Sequence, residues 1–315
     1  MIINFIASLV ARLQSDVPVK LTPRVSIGMA AHGNSSTTRE ALDYLFSSAT
    51  GDFELILIDD LSPDDTLEVY RGARKWHGNT QIFSFRTNLE YCQSVNAFLS
   101  HARGDHLIFL SNDIFVNPSY LRQLLKAAVA SPDCGILRGC SNFVDNSSPL
   151  HNLPVEGFET KEIFFAFAAD IARRHWTGEL VDERFLVGDA FLVSRPVIDK
   201  IGTFDTRFVG YCGDQDFGLR AQIAGFRVAL ARSAFAFHQQ HANIHYLPPR
   251  EQQEKIRQRF ARVSEAARTF LQKYPVPMRD GTVHDVPWEQ LAERAFDPAL
   301  HYVAPMDYSQ YILRS

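Results

Sequence analysis

The chain has 315 residues, enough for one large or two ordinary domains around a sizeable core. Hydrophobic residues make up 46% and charged residues 22%, with 17 glycines and 15 prolines, which excludes collagen-like and wholly disordered classes. A net charge of −4 removes the broad basic surface expected of a general nucleic-acid binder, so no nucleic-acid partner is expected.

No apolar run reaches the roughly 18 residues needed to span a membrane. The opening MIINFIASLVARLQSD has neither a basic region before its apolar stretch nor a clear cleavage site after it. Ile2, Ile6, Leu9 and Leu13 recur at helical spacing, so residues 1–23 read as an amphipathic N-terminal segment. It is expected to pack on its own domain, with peripheral membrane contact as the alternative; Arg12 is its one basic residue before the segment closes around Lys20. Cys92, Cys134, Cys140 and Cys212 form no CxxC pair and fit no common zinc spacing, which suits a reducing, cytoplasmic setting, at the inner membrane face under that alternative.

From residue 24 short apolar runs alternate with helical patterns, the signature of βαβ units. RVSIGMAA (24–31) predicts a first strand, and Thr37 with Glu40 a capping box opening the next helix. FELILIDD (53–60) predicts a buried strand ending in two acids, after which Ser62-Pro63-Asp64-Asp65 supplies an N-cap, a first-position proline and first-turn acids. QIFSF (81–85) and HLIFL (106–110) predict further strands around a helix near 92–102, and Asn117-Pro118 starts another helix. A polar loop precedes the aromatic helix KEIFFAFAADIARRHW, followed by FLVGDAFLVS (185–194), a Pro196-led helix, and the helix REQQEKIRQRFARVSEAARTFLQKY (250–274).

In an open α/β sheet, ligands bind at the carboxyl ends of the strands. Here those ends carry Asp59-Asp60 and Asp113, with no GxGxxG after the first strand and no GxxxxGK[ST] anywhere. Acids in place of a glycine cradle suit a divalent metal on a pyrophosphate, with another acid accepting hydrogen bonds from base or ribose. The competing reading is that each acid caps the following helix.

With these residues in place, the chain resembles the family-2 glycosyltransferases over roughly residues 24–245. VSIGMAAHGNSSTTREALDYL resembles that family's opening strand and helix, ELILIDDLSPDDT its nucleotide-binding strand, and RTNLEYCQSVNAFLSHARGDHLIFLSND the stretch ending in the DXD-type motif. VGDAFLVSRPVIDKIGTFDTRFVGYCGDQDFGLRAQIAGFRVALARSAFAFH is similar to the acceptor-side half, with its glycine-led loop, "GxFD" turn, "EDxDLxxR" segment and terminal His. The resemblance implies an α/β fold of the GT-A class, Rossmann-like with a mainly parallel central sheet flanked by helices, plus a helical C-terminal extension. Its expected units are a GT-A domain over 24–246, divided into a nucleotide-binding half (24–113) and an acceptor-side half (114–246), and the extension over 247–315.

The resemblance also implies an inverting transfer from a nucleoside-diphosphate sugar, expected to be a UDP- or dTDP-sugar, to a hydroxyl of a glycan, glycolipid or protein. Asp59, Asp60, Ala31 and His32 fall near the nucleoside, Asn88 and Asn96 on donor-side asparagine positions, and Asn112 and Asp113 in the DXD-type motif. Asp113 and His238 are the expected ligands of Mn²⁺, or Mg²⁺, and Asp214 the general base. Gly188, Asp189, Trp176 and Asp216 are acceptor-side candidates, although an Asp216–Arg220 i,i+4 pair is the simpler reading of Asp216.

The chain departs from the family pattern at Ser111 (first acid of the DXD-type motif), Gly213 (Glu before the base) and Gly33 (commonly Asn). Ser111 and Gly213 support a rival reading, a catalytically weak binding or scaffold subunit. A nucleotidyltransferase would need a Gly-rich, basic loop after the first strand, where only Arg39 is offered. His238, His241 and His245 have the spacing of helical metal ligands, but the strand before them disturbs that phasing. Phe164, Phe165 and Phe167 are expected to pack rather than stack on a sugar. The 250–274 helix reads as a solvated face, and the extension is the candidate surface for a homodimer.

Overall fold

The computed structural model describes residues 17–22, 24–144, 153, 155–175, 179–239, 248–276 and 286–313. Residues 1–16, Trp176, His241 and His245, on which several expectations fall, lie outside the described residues. Within the expected N-terminal segment, Val19–Leu21 forms a short strand, β1, paired in parallel with β3 (Ala49–Gly51).

Among the described residues nine strands make the main sheet, in the order β5 (Thr80–Ser84), β4 (Glu54–Asp59), β2 (Val25–Ala31), β6 (His106–Ser111), β10 (Ala190–Ser194), β8 (Cys134–Ser141), β11 (Arg227–His238) and β7 (Ile114–Phe115), with β9 (Leu180–Asp182) beside β11. β2, β4, β5 and β6 run parallel. β10 then reverses direction between β6 and β8, and β11 runs parallel to β8. β7 pairs antiparallel with the end of β11. The parallel half is the expected architecture, and the other half is mixed.

Alternate residues of the strands feed two apolar cores, as the two-residue repeat of a strand requires. Ile27, Met29, Leu55, Leu57, Ile108 and Leu110 enter one, together with residues of α1 (Ser35–Ser48), α2 (Thr66–Trp76), α4 (Pro118–Ala130) and α5 (Lys161–Arg174). Ile56, Ile58, Leu107 and Phe109 enter the other, with α3 (Glu90–His101), α6 (Arg195–Ile201) and α7 (Gly213–Ile223). Gly28 lies on this second face, where a Cβ would come within 2.4 Å of the Phe98 ring. Phe164 and Phe165 are buried, and Phe164 meets Phe235, Phe237 and Tyr44 edge-on, so these rings pack.

The C-terminal segment completes the second core. From α8 (Pro249–Lys273) come Ala266 and Phe270, and beyond it Tyr274, Leu291, Trp288 of α9 (Trp288–Ala292) and Tyr308. α10 (Pro298–His301) leads into a bridge between Val303 and Gly202, and Phe85 bridges to Ile312. No described helix is long and apolar enough to cross a membrane.

Two helix openings differ from expectation. α1 starts at Ser35, before the Thr37–Glu40 pair, because Gly33 and Asn34 both take left-handed backbone and bring the chain round early. Its first N–H is capped from a distance, Ser35 N donating to Asp64 Oδ2 at 2.9 Å, while the Thr37 hydroxyl donates to Asn34. α2 starts at Thr66 rather than Pro63, with the Thr66 N–H and hydroxyl on Asp64 Oδ1 and the Ser62 hydroxyl accepting from Gly33 N. The loops after β2 and β4 are thereby tied together at the carboxyl end of the sheet.

Candidate active site

That end of the sheet holds a cleft of about 250 Å³, lined by Ala31, His32, Asp60, Asn88, Tyr91, Ser111 and Asn112 among others. Asp60 and Asp59 separate as adjacent strand residues must. Asp60 lines the cleft, accepting from Leu89 N at 2.7 Å, and burial raises its pKa above the ordinary carboxylate value. Asp59 is engaged elsewhere, by the Ser84 hydroxyl at 2.7 Å and Ser62 N at 3.1 Å, so it shapes the turn rather than the cleft wall. His32 Nδ1 lies 2.7 Å from the Asp60 carbonyl oxygen, and the Asn88 amide stands over the same ring. Asn112 Nδ2 donates to the Thr38 hydroxyl and the Gly33 carbonyl, fastening the cleft floor to the opening of α1.

Asn96 is not in the cleft. Its side chain donates to Phe204 O and accepts from Phe204 N, fully buried, and so splices α3 to the turn after α6.

Asp113 and His238 meet because β7 follows Asp113 directly and pairs with the end of β11, placing Ile114 opposite His238. His238 Nε2 is 3.3 Å from Asp113 Oδ2. Asn142 brackets the His238 backbone by accepting from its N–H and donating to its carbonyl, and Nδ1 lies 3.2 Å from the Phe143 carbonyl oxygen. Burial alone would lower the imidazole pKa, but the hydrogen bond and charge of Asp113, then the charge of Asp189, outweigh it and raise it to about 9. Among the described residues no group of three or more His, Cys, Asp or Glu side chains could hold a metal ion. The protein thus offers one carboxylate and one imidazole, a pair that fits a Mg²⁺- or Mn²⁺-type ion taking its other ligands from phosphate oxygens and water.

Asp189 joins this group instead of standing free toward an acceptor. Its Oδ1 accepts from Arg138 Nη2 and from Ala190 N, both at 2.9 Å, and its Oδ2 is 3.7 Å from His238 Nδ1. Ser111 N in turn donates to the Asp189 carbonyl, so β6 and β10 hold it beside the end of the DXD-type strand.

Asp214 is the second residue of α7, at the helix N-terminus, where the dipole favours a carboxylate. It is half-buried, and burial raises its carboxyl from 3.8 to about 6 against opposing hydrogen bonds from backbone N–H groups, that of Gly188 at 2.9 Å among them. The Tyr91 hydroxyl donates to the Gly188 carbonyl at 2.7 Å, which joins the cleft wall to Asp214 through one glycine. A Cβ on Gly188 would lie 2.1 Å from the Tyr91 hydroxyl oxygen and 2.9 Å from Asp214 Cβ, so only glycine fits. Gly213 has a similar cause. A Cβ there would meet Cys92 Sγ at 2.4 Å, leaving no room for the family's glutamate.

Asp216 does not face an acceptor. It is fully buried, paired with Arg220 Nε at 2.7 Å and Lys273 Nζ at 2.6 Å, and accepts from the Tyr274 hydroxyl. The helical pair with Arg220 is the correct reading, and Lys273 and Tyr274 are partners the sequence did not suggest. All four cysteines are buried, which pushes every thiol well above its ordinary pKa and away from thiolate chemistry.

Residues 26–202, more than half of the chain, match the family described as Glycosyl transferase family 2. The chain belongs to glycosyltransferase family 2. The GT-A fold follows from structure as well. A mannosyltransferase, PcManGT, from Pyrobaculum calidifontis superposes with a TM-score of 0.54 at 15% identity, over 87% of this chain and 73% of that one. Residues 1–349 of TarS from S. aureus give 0.51 at 16% identity, over 85% of this chain and 79% of that one. In sequence, validoxylamine A glucosyltransferase of Streptomyces hygroscopicus subsp. jinggangensis (strain 5008) is 24% identical over 254 residues, 71% of this chain. This family-2 chain spans 57% of that relative's length.

Sequence reasoning missed Tyr91, Arg138, Lys273 and Tyr274. Arg138 carried a signal, a lone arginine inside the apolar run CGILRGCS, whereas Lys273 and Tyr274 close a helix whose charge pattern hides their burial.

Proposed function

We propose that the chain transfers a sugar, with inversion, from a nucleoside-diphosphate sugar to an acceptor hydroxyl, with Asp214 as general base. The observation that carries this reading is a half-buried carboxylate whose pKa is raised to about 6, at a helix N-terminus beside the cleft floor, joined to the cleft wall through Gly188 and Tyr91. Such a carboxylate is ionised at neutral pH yet basic enough to accept a hydroxyl proton. Two similar structures were solved with sugar nucleotides, GDP-Man with Mn²⁺ in one and UDP-GlcNAc in the other, which supports a donor of that class.

In this reading Asp60, His32 and Asn88 hold the nucleoside, and Asn112 keeps the floor beneath the diphosphate. Asp113 and His238 would hold Mn²⁺ or Mg²⁺, which when bound supplies positive charge to the departing nucleoside diphosphate. Asp214 orients the acceptor hydroxyl and takes its proton as the oxygen attacks the anomeric carbon from the face opposite the leaving group. The transition state has oxocarbenium character, as in glycoside hydrolysis. The Gly188 N–H, with the backbone N–H groups at the start of α7, keeps the Asp214 carboxylate in place.

The test is thermal stabilisation by nucleoside diphosphates and their sugars, each with and without Mn²⁺, followed by turnover of the one that binds. Metal-dependent stabilisation with turnover supports the transfer. Stabilisation without turnover across candidate acceptors would favour the scaffold reading instead.

A further inference from the structure

Within the proposed donor site, the DXD-type strand supplies one carboxylate, because Ser111 stands where the first acid is usual. The neighbouring strands place another carboxylate, Asp189, on the far side of the His238 ring from Asp113. Asp113 Oδ2 is 3.3 Å from Nε2, and Asp189 Oδ2 is 3.7 Å from Nδ1. The second distance is too long for a hydrogen bond but within reach of charge, while the Phe143 carbonyl takes the Nδ1 proton at 3.2 Å.

What holds Asp189 there is Arg138. Its side chain is 3% exposed, and Nη2 binds Asp189 Oδ1 at 2.9 Å, leaving Oδ2 turned to the imidazole. Among the described residues Nη1 is buried without a hydrogen-bond partner. Burying a guanidinium with an unmet donor costs stability, and a buried ion pair seldom repays its desolvation better than an apolar pair of the same volume. Stability is therefore a poor account of this pair. Its geometry offers another: the negative end of the Arg138–Asp189 pair faces Nδ1.

We propose that Arg138 and Asp189 are positioning residues for His238. Together with the Phe143 carbonyl they keep the proton on Nδ1, so that the Nε2 lone pair is presented beside Asp113 for the divalent cation. Metal-ligating histidines commonly lean on such outer partners, and loss of one typically weakens metal affinity by about 10–100-fold. The inference rests on the metal reading of Asp113 and His238, and deepens it by assigning Asp189 to the cation site instead of the acceptor.

The experiment is a Mn²⁺ titration followed by the EPR signal of the free ion, with UDP and with GDP in parallel, on the wild-type chain and four variants. Asp113→Asn tests the metal site itself. Asp189→Asn should bind Mn²⁺ about 10–100-fold more weakly. Arg138→Gln should do the same, although it leaves Asp189 without its cation and can reduce folding. The double variant Arg138→Gln/Asp189→Asn keeps hydrogen-bonding groups in a smaller volume with no buried charge, and its melting temperature should rise above that of Arg138→Gln alone, toward wild type. A purely structural pair would then regain wild-type Mn²⁺ affinity. Continued weak binding by a double variant that melts like wild type supports positioning. Wild-type affinity in Asp189→Asn or in the double variant overturns the proposal alone. Undiminished Mn²⁺ binding by Asp113→Asn, or none by wild type, removes the metal reading and this inference with it.

Discussion

The sharpest consequence of the Asp214 environment is that removing the charge of the proposed base should stabilise the protein, and only at higher pH. Asp214→Asn keeps an oxygen for the Gly188 N–H while deleting the carboxylate. In the folded state the carboxyl titrates at about 6 instead of the ordinary 3.8, mainly because burial penalises its charge. The unfolded chain releases that proton first, so the wild type carries a penalty that grows as pH rises from about 4 and is complete above about 6. A shift of that size corresponds to about 3 kcal/mol as a ceiling. The side chain is half-buried, and water in the cleft reduces the figure, to about 1–2 kcal/mol.

The assay is urea unfolding of wild type and Asp214→Asn at a series of pH values. The variant should be about 1–2 kcal/mol more stable near pH 8 and indistinguishable from wild type near pH 4. Transfer by the same variant should fall by about 10²–10⁴, with donor affinity nearly unchanged. Equal stability of the two proteins at both ends of the series would refute the perturbed carboxyl. Retained transfer would remove Asp214 as the base.

The remaining predictions follow from single contacts. Lys273→Met should cost about 3–5 kcal/mol near neutral pH by chemical denaturation, because Lys273 Nζ pairs at 2.8 Å with Asp205 and at 2.6 Å with Asp216, both buried. Gly188→Ala should lose most transfer, since the added methyl displaces Tyr91 or Asp214, and a crystal structure of the variant should show one of them moved. Gly213→Glu, which restores the family's usual acid, should destabilise the fold and melt lower, because its Cβ meets Cys92 Sγ. In the metal-free protein the stability gained from protonated His238 should be complete below about pH 6.5 and lost as pH rises through about 9, while Mn²⁺ affinity rises over the same interval as the proton leaves. Calorimetric Mn²⁺ titration against pH checks the second half of that statement.

The parallel half of the sheet was legible because its strands are continuous apolar runs ending in acids, a pattern few other arrangements share. The order of the motifs placed Asp60, Asp113, Asp214 and His238 at one end of it. Propensity did not decide which acid of an adjacent pair faces the ligand; the strand repeat and the Ser84 hydroxyl did that for Asp59. Asn96 and Asp216 were misassigned for a common reason. Each sits in a family motif, but its partners, Phe204 for one (108 residues on) and Lys273 with Tyr274 for the other (Tyr274 being 58 residues on), are far off in the chain or hidden by a helix's solvated charge pattern. The helix openings failed because Asp64 caps α1 from a different loop, a contact that local sequence does not encode.

The two ends of the parallel strands also divide charge in a way that bears on the donor. At the amino end Glu54 is fully satisfied, accepting from Ser26, Arg103 and Gln81, and Arg195 covers the carbonyls of Ala102 and Gly104. At the carboxyl end Asp60, Asp113, Asp189 and Asp214 converge, and their close cationic partners are the buried Arg138 and the imidazole of His238. A diphosphate entering such a site unaccompanied would meet net repulsion, about 1 kcal/mol for each like pair at 4 Å in water and several times that near the protein interior. A divalent cation, which Asp113 and His238 would hold in the proposed reading, would supply positive charge against that repulsion. The acid-rich floor therefore argues for a donor that arrives with its metal, and a nucleotide bound equally well with and without Mn²⁺ would count against the whole electrostatic design.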